Sequence, residues 1–290
     1  MPLERYFLNW DTPATVKVRD FLLPQELSGP VELGRDLIVV PTRQAGRRLR
    51  EALARHCSSQ KTALLSLRTV TPSFFLQPED DSGTLAEPLE TAAVWADILM
   101  KADLSHFRGL FPSHIPSQDF LWALRTGEMI AGLRDNLADD GYSIAAIYNE
   151  FGDILEEIER WRDLAELESI YLERLITIGL KDPRAEMLRL IKSPEPPKGV
   201  ERIVIAAVPD PTPLMVQKLE RLSSQLPIVV LIHAPESLSD CFDAWGRPVP
   251  AKWQERHIDI PDPEANVLLS GSPRSQSRKA LELLASESER

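Results

Sequence analysis

Cysteine is scarce. The 290-residue chain has two, Cys57 and Cys241, far apart in sequence. Such a pair makes neither a disulfide framework nor a metal-ligand spacing. The five histidines, His56, His106, His114, His233 and His257, form no HExxH, so that metal motif is missing as well. No GxSxG nucleophile turn occurs, and Ser270-Gly271-Ser272 reads as an ordinary turn. No apolar run reaches the length of a membrane span, and residues 1–20 lack the basic-then-apolar order of a signal peptide. Positive charge is also short: 33 Lys and Arg stand against 44 Asp and Glu, a formal net charge of −11. That balance argues against a surface that binds nucleic acid over its whole extent, but it leaves room for a local basic stripe. These absences lead to an expectation of a cytoplasmic chain with no metal site and no membrane partner.

What remains is an ordinary globular composition, 43% hydrophobic and 27% charged, on a chain long enough for a large core and two structural units. The 24 prolines punctuate element ends, as at Pro41, Pro72, Pro183 and Pro209. The last residues, Ser286–Arg290, follow an amphipathic helix pattern directly, which reads as a frayed or cut end.

Strand and helix signals alternate over residues 1–76. Strands are expected near Arg5–Leu8, Leu37–Val40 and Leu64–Leu67. Helices are expected at Pro13–Leu23, at Arg43–His56 and, shortly, after Thr71-Pro72. A polar linker, Gln77–Glu87, then leads into a stretch with no β signal. There the 3.6-residue period predicts helices at Pro88–Ala102, Gln118–Asn136, Ile144–Ile178 (whole or broken) and Pro183–Ile191. The last opens on Asp182 as N-cap and Pro183 at the first helical position. Trp95, Trp122 and Trp161 fall on these patterns and read as core. A second linker, Ser193–Gly199, returns the chain to α/β. Arg202–Val208 and Pro227–His233 are continuous apolar runs, as suits parallel strands covered on both faces. Weaker strand signals recur at His257–Ile260 and Asn266–Leu269, before a helix at Arg274–Ala285. The economical fold class is α/β, a parallel sheet built from residues 1–80 plus 194–290 and interrupted by an all-helical insertion over 81–193. No internal repeat is present.

The first strand leads into Asn9-Trp10-Asp11-Thr12-Pro13-Ala14-Thr15-Val16. A phosphate loop, GxxxxGK[ST], works because its glycines aim backbone N–H groups at phosphate while its lysine reaches the β- and γ-phosphates. Aligned on the strand, this chain has Asn9 and Ala14 at the glycine positions and Thr15 and Val16 at the lysine and hydroxyl positions. Pro13 removes a donor besides. An ordinary turn, with Thr12 as N-cap and Pro13 opening the helix, is the expectation, and no nucleotide cofactor is expected. The buried run Arg202–Val208 ends in Ala206-Ala207 rather than the acidic pair that would hold Mg²⁺; Asp210 reads as a turn residue. Pro209-Asp210 is not followed by an (Asp/Glu)-x-Lys, so the metal-dependent nuclease signature is absent too. No catalytic residue is assigned.

Two charged constellations stand out. Arg43, Arg47 and Arg50 recur at i, i+4 and i+7 on one helix face opposite Leu49 and Leu53, flanked by Arg48 and Arg55. Guanidinium groups so clustered can contact phosphates. Set against this is a solvated face pairing with local acids such as Glu51, which the residues alone slightly favour. Glu156, Glu157, Glu159, Asp163, Glu166 and Glu168 surround Arg160 and Arg162, and this run reads as a solvated helix face.

With these residues on the page, the chain resembles the N-terminal helicase-like half of AddB, the B subunit of bacterial AddAB-type helicase–nucleases. Asp36–Leu53 (DLIVVPTRQAGRRLREAL) looks like the strand, Pro-Thr turn and Arg-rich helix of helicase motif Ia. Gly179-Leu180-Lys181-Asp182-Pro183 is similar to a Gly-Leu-x-Asp-Pro segment of the family's helical insertion. Arg202–Pro213 (RIVIAAVPDPTP) stands in the place of its second core strand and Thr-Pro turn. The order of these segments is the stronger argument. The resemblance implies a RecA-like sheet with decayed motor motifs and DNA contacts at Thr42, Arg43, Arg47 and Arg50. It also implies a partner helicase subunit of AddA type and a PD-(D/E)xK nuclease region elsewhere in the chain. The function expected is a non-catalytic module of a double-strand-break repair nuclease that guides single-stranded or duplex DNA or docks the partner subunit. The alternatives are an ATP-dependent helicase subunit and an α/β protein–protein interaction module without nucleic acid.

Overall fold

Among the described residues five strands make a single sheet in which every pairing is parallel. They are β1 (Leu3–Phe7), β2 (Val31–Val39), β3 (Leu64–Val70), β4 (Arg202–Ala206) and β5 (Ile228–Ile232), in the order β1-β5-β4-β2-β3. The computed structural model describes residues 3–78, 83–113 and 117–288. Residues 79–82 of the linker Gln77–Glu87, and residues 289–290 of the expected frayed end, lie outside them. The chain forms two compact units, residues 1–249 and 250–290.

In the first unit the sheet is covered on both faces, as the continuous apolar runs of β4 and β5 require. On one face Ile38, Val40, Val204, Val229 and Leu231 pack against α1 (Ala14–Leu22) and α2 (Arg43–Ser59) through Val18, Leu22, Leu49, Leu53 and Cys57. On the other, Leu37, Val39, Ile203, Ile205, Ile228 and Val230 pack against α8 (Pro213–Leu222), with Phe75 and Trp245 closing the layer. Alternate residues of one strand thus feed two separate cores.

Among the described residues a 3-10 helix (Pro72–Leu76) and five α-helices lie between β3 and β4: α3 (Pro88–Lys101), α4 (Phe120–Asp139), α5 (Ile144–Phe151), α6 (Ile158–Thr177) and α7 (Pro183–Ile191). Among the described residues this stretch lends no strand to the sheet; Leu85 and Lys181 form an isolated bridge. The pattern Ile144–Ile178 breaks where Glu157 adopts a left-handed φ of 54°. Trp95 is fully buried and stacks on Tyr171 with ring centroids 4.4 Å apart, while Trp122 and Trp161 pack partly buried on the same core. Ala138, Met187 and Ile191 join Leu214 of α8, so α4 and α7 rest on the helix layer of the sheet.

The Glu156–Glu168 run corrects the expectation of a uniformly solvated face. Glu156, Glu157, Glu159 and Glu166 are exposed, but Asp163 and Glu168 are buried. Asp163 accepts from the backbone N–H groups of Gly109 and Leu110 at 2.8 and 3.2 Å. Glu168 accepts from Arg134 Nε at 2.7 Å and from the Ala145 N–H at 3.0 Å. Arg134 also holds both oxygens of Asp182 at 3.1 Å, and Tyr171 donates to Asp182 at 2.8 Å. Burial opposes the charge on Asp182, but the bonds from Arg134, the Ala185 N–H and Tyr171 outweigh it and hold its carboxyl below the usual carboxylate range. Asp182 is the N-cap of α7, as its position before Pro183 predicts, so a capping residue also anchors a buried charge network.

The second unit carries α9 (Pro250–Gln254), α10 (Pro263–Asn266) and α11 (Pro273–Ser288). The strands expected at 257–260 and 266–269 do not form. Ile258, Ile260, Val267, Leu268 and Leu269 are all exposed, so the short apolar runs have no partner strand against which to bury a face.

Candidate nucleic-acid interface

The order in which successive strands are added reverses between β2 and β4, because β2 is followed by β3 on one side of this pair and β4 by β5 on the other. In open α/β sheets, ligands bind outside the carboxyl ends of the strands at such a point. The elements reaching that edge include the Pro41-Thr42 turn after β2, the segment after β3 and the Ala207–Asp210 turn after β4.

Thr42 opens α2 in an extended conformation, and its Oγ1 accepts the Ala45 N–H at 3.0 Å. That caps the helix and still leaves the hydroxyl hydrogen to donate. Leu49 and Leu53 sink into the core and turn Arg43, Arg47 and Arg50 outward, all exposed. The three arginines line one groove of about 440 Å³ together with Thr69, Thr71 and Gln77. Gly46 sits where α2 crosses β3 closely: a Cβ there would stand 3.2 Å from Val40 Cγ2 and 3.3 Å from Thr69 Oγ1. Among the described residues none of Arg43, Arg47, Arg48 and Arg50 has a carboxylate partner; Glu51 reaches Arg55, at 3.7 Å. The pairing with Glu51 expected of a solvated face therefore goes to the far end of the helix. Local sequence missed the hydroxyl and amide side chains opposite the arginines, and the position of residues 69–77 at a strand's carboxyl end was the signal for them.

The turn after β1 is arranged differently. The Asn9 N–H donates to the Ala234 carbonyl at 2.9 Å, and the Trp10 N–H donates to Asn9 Oδ1 at 2.8 Å. Asn9 takes a left-handed φ of 64°. Trp10 Nε1 donates to the His233 carbonyl at 2.6 Å. The expected capping by Thr12 does not occur: Pro13 itself is the N-cap residue, its ψ of 142° delays the helix to Ala14, and no side-chain cap bond forms. Thr12 instead lends its carbonyl to His233 Nε2 at 3.2 Å. Ala14, Thr15 and Val16 make up the half-buried first turn of α1, and Lys17, the nearest cation, pairs with Asp11 at 2.9 Å. After β4, Ala207 adopts a φ of 51°, and Asp210 is exposed.

Ser270-Gly271-Ser272 lies in the second unit, where Ser272 and Ser275 bond each other. Among the described residues no three His, Cys, Asp or Glu side chains gather closely enough to hold a metal ion. No described helix is long and apolar enough to cross a membrane. No protein-family model matches the sequence, and no curated protein is significantly similar to it.

Proposed function

We propose that this chain is a non-catalytic, RecA-like helicase module of AddB type, which guides single-stranded DNA along the arginine face of α2. In this reading it acts in the cytoplasm beside an AddA-type helicase subunit and a nuclease region of its own chain. The observation that carries it is a row of guanidinium groups at the switch-point edge of a doubly wound sheet, in a protein whose net charge is −11. Among the described residues that row has no carboxylate partner. A guanidinium with no carboxylate partner has its N–H donors open to a phosphate. Thr42, capping the helix with a hydroxyl hydrogen still free, adds a donor at the same edge.

The turn after β1 speaks against an ATP-dependent motor. Two of its N–H groups are already bonded, Pro13 has none, and Lys17 is turned to Asp11. The phosphate cradle, its cation and the acidic pair at Ala206-Ala207 are missing together. A protein-interaction module is the second reading, favoured by the overall negative charge.

Fluorescence anisotropy with a labelled single-stranded oligonucleotide over a series of salt concentrations tests the proposal. Arg47→Glu with Arg50→Glu should weaken binding and reduce the log–log salt slope by about 0.7 for each phosphate no longer neutralised. An affinity and slope identical to those of the unaltered chain would favour the interaction module.

A further inference from the structure

We propose that the arginine groove continues into a second groove beside it, and that the two form one single-stranded DNA track in which Phe74 stacks a base and Lys198 takes a neighbouring phosphate. This rests on the reading of α2 as a DNA-guiding face. The second groove has a volume of about 320 Å³ and is bordered by the returning linker, Pro194 to Lys198, and by Lys218. Phe74 and Gln77 line both grooves, so the two meet at an aromatic ring and an amide.

The order of groups along this path is cationic, aromatic, cationic. A charged groove that tracks the backbone, broken by a ring on which a base can lie, is what sequence-tolerant recognition of single strands requires. Phe74 is half-buried and anchored edge-to-face on Phe75, with centroids 5.4 Å apart, so its orientation is set without a ligand. Lys198 is exposed and has no carboxylate partner among the described residues. Its backbone is held: Arg68 Nη1 donates to its carbonyl at 2.8 Å, and Gln225 Nε2 donates to that of Pro194 at 3.0 Å. Pro196 and Pro197 restrict the linker further. Lys218, which also lines this groove, donates to the Phe75 carbonyl at 3.0 Å, and among the described residues that line the groove the one acid is Glu195. The linker thus presents an amine on a held backbone, in the groove that shares Phe74 and Gln77 with the arginine groove.

Anisotropy titrations of labelled oligothymidylate, and of the same oligomer carrying abasic sites, test this with the full chain. Phe74→Leu keeps an apolar side chain and removes the stacking face. It should cost about tenfold in affinity for the intact oligomer and nothing for the abasic one, and Phe74→Tyr should restore the loss. Lys198→Glu should lower the salt slope by about 0.7 or more. If Phe74→Leu and Lys198→Glu both bind as the unaltered chain does while Arg47→Glu with Arg50→Glu weakens binding, the track is wrong and the arginine face stands. If the unaltered chain binds no oligothymidylate, the underlying reading fails and this proposal falls with it.

Discussion

The sheet and the five α-helices described between β3 and β4 belong to one compact unit, yet their interiors differ. The two cores on the sheet are built from apolar side chains of β2, β4 and β5 against α1, α2 and α8. Among the described residues the buried charged side chains, Arg134, Asp163, Glu168 and Asp182, all belong to the helical stretch. A parallel sheet satisfies its own backbone through its ladders, so its faces need only apolar cover. Helix starts and irregular turns leave N–H groups without ladder partners, and here buried carboxylates meet them: Asp163 in the turn at Gly109 and Leu110, Glu168 at Ala145 in the first turn of α5, Asp182 at Ala185 in the first turn of α7. Once two of those carboxylates are buried together, a cation must join them, and Arg134 does so. Hydrophobic packing holds both regions, and the second adds a buried charge network to its apolar core.

The largest effect expected from breaking this contrast comes from Arg134→Ala. It strands Glu168 and Asp182 in the interior and should cost about 3–5 kcal/mol in denaturant unfolding. The same network predicts a pH dependence. The carboxyl of Asp182 titrates lower in the folded chain than unfolded, so its contribution is complete above the unfolded value, about 3.9, and is lost as pH falls through the folded one. Burial, then Asp182, push the Tyr171 hydroxyl upward, so stability should decline again as pH rises above about 10, where the unfolded phenol ionises first. Urea unfolding between acid and alkaline pH checks both signs, and Tyr171→Phe should remove the alkaline limb.

A smaller change sharpens the contrast from the other side. Ile205→Val removes one methylene from the sheet core and should cost about 1 kcal/mol. The loss should be the same across the pH range in which the helical stretch responds, because the side chains packed with Ile205 in that core are apolar. The smallest effect belongs to the arginines of α2: Arg47→Ala should shift stability by no more than about 0.5 kcal/mol, since the side chain is exposed and pairs with no carboxylate among the described residues. A marked destabilisation by Arg47→Ala would mean that this face serves packing rather than recognition.

Much of this layout is legible in the sequence. The runs Arg202–Val208 and Pro227–His233 are central strands because both their faces are apolar, and α7 starts where Asp182-Pro183 says it must. The spacing of Arg43, Arg47 and Arg50 places them together along one exposed side of α2, beside the face that buries Leu49 and Leu53. Patterns of 2.0 and 3.6 residues are local, and any chain that buries its apolar residues must respect them.

Tertiary structure decided the rest. Asp163 and Glu168 sit in the same charged run as Glu159 and Glu166, but the 3.6-residue period sets them on the face of Leu164, Leu167, Tyr171 and Leu175; what it does not say is how a carboxylate is satisfied there. Their fate depends on which orphan N–H groups and which arginine the fold brings near, and those lie 23 to 54 residues away. The same holds for the candidate interface. The sequence supplies the arginines, but only strand order sets Thr69, Thr71 and Phe74 in one groove with them, and only the fold brings the linker at Lys198 to the second groove that Phe74 lines. Periodicity determines which way a side chain points from its own element; what it then meets depends on residues distant in sequence, which no local pattern encodes.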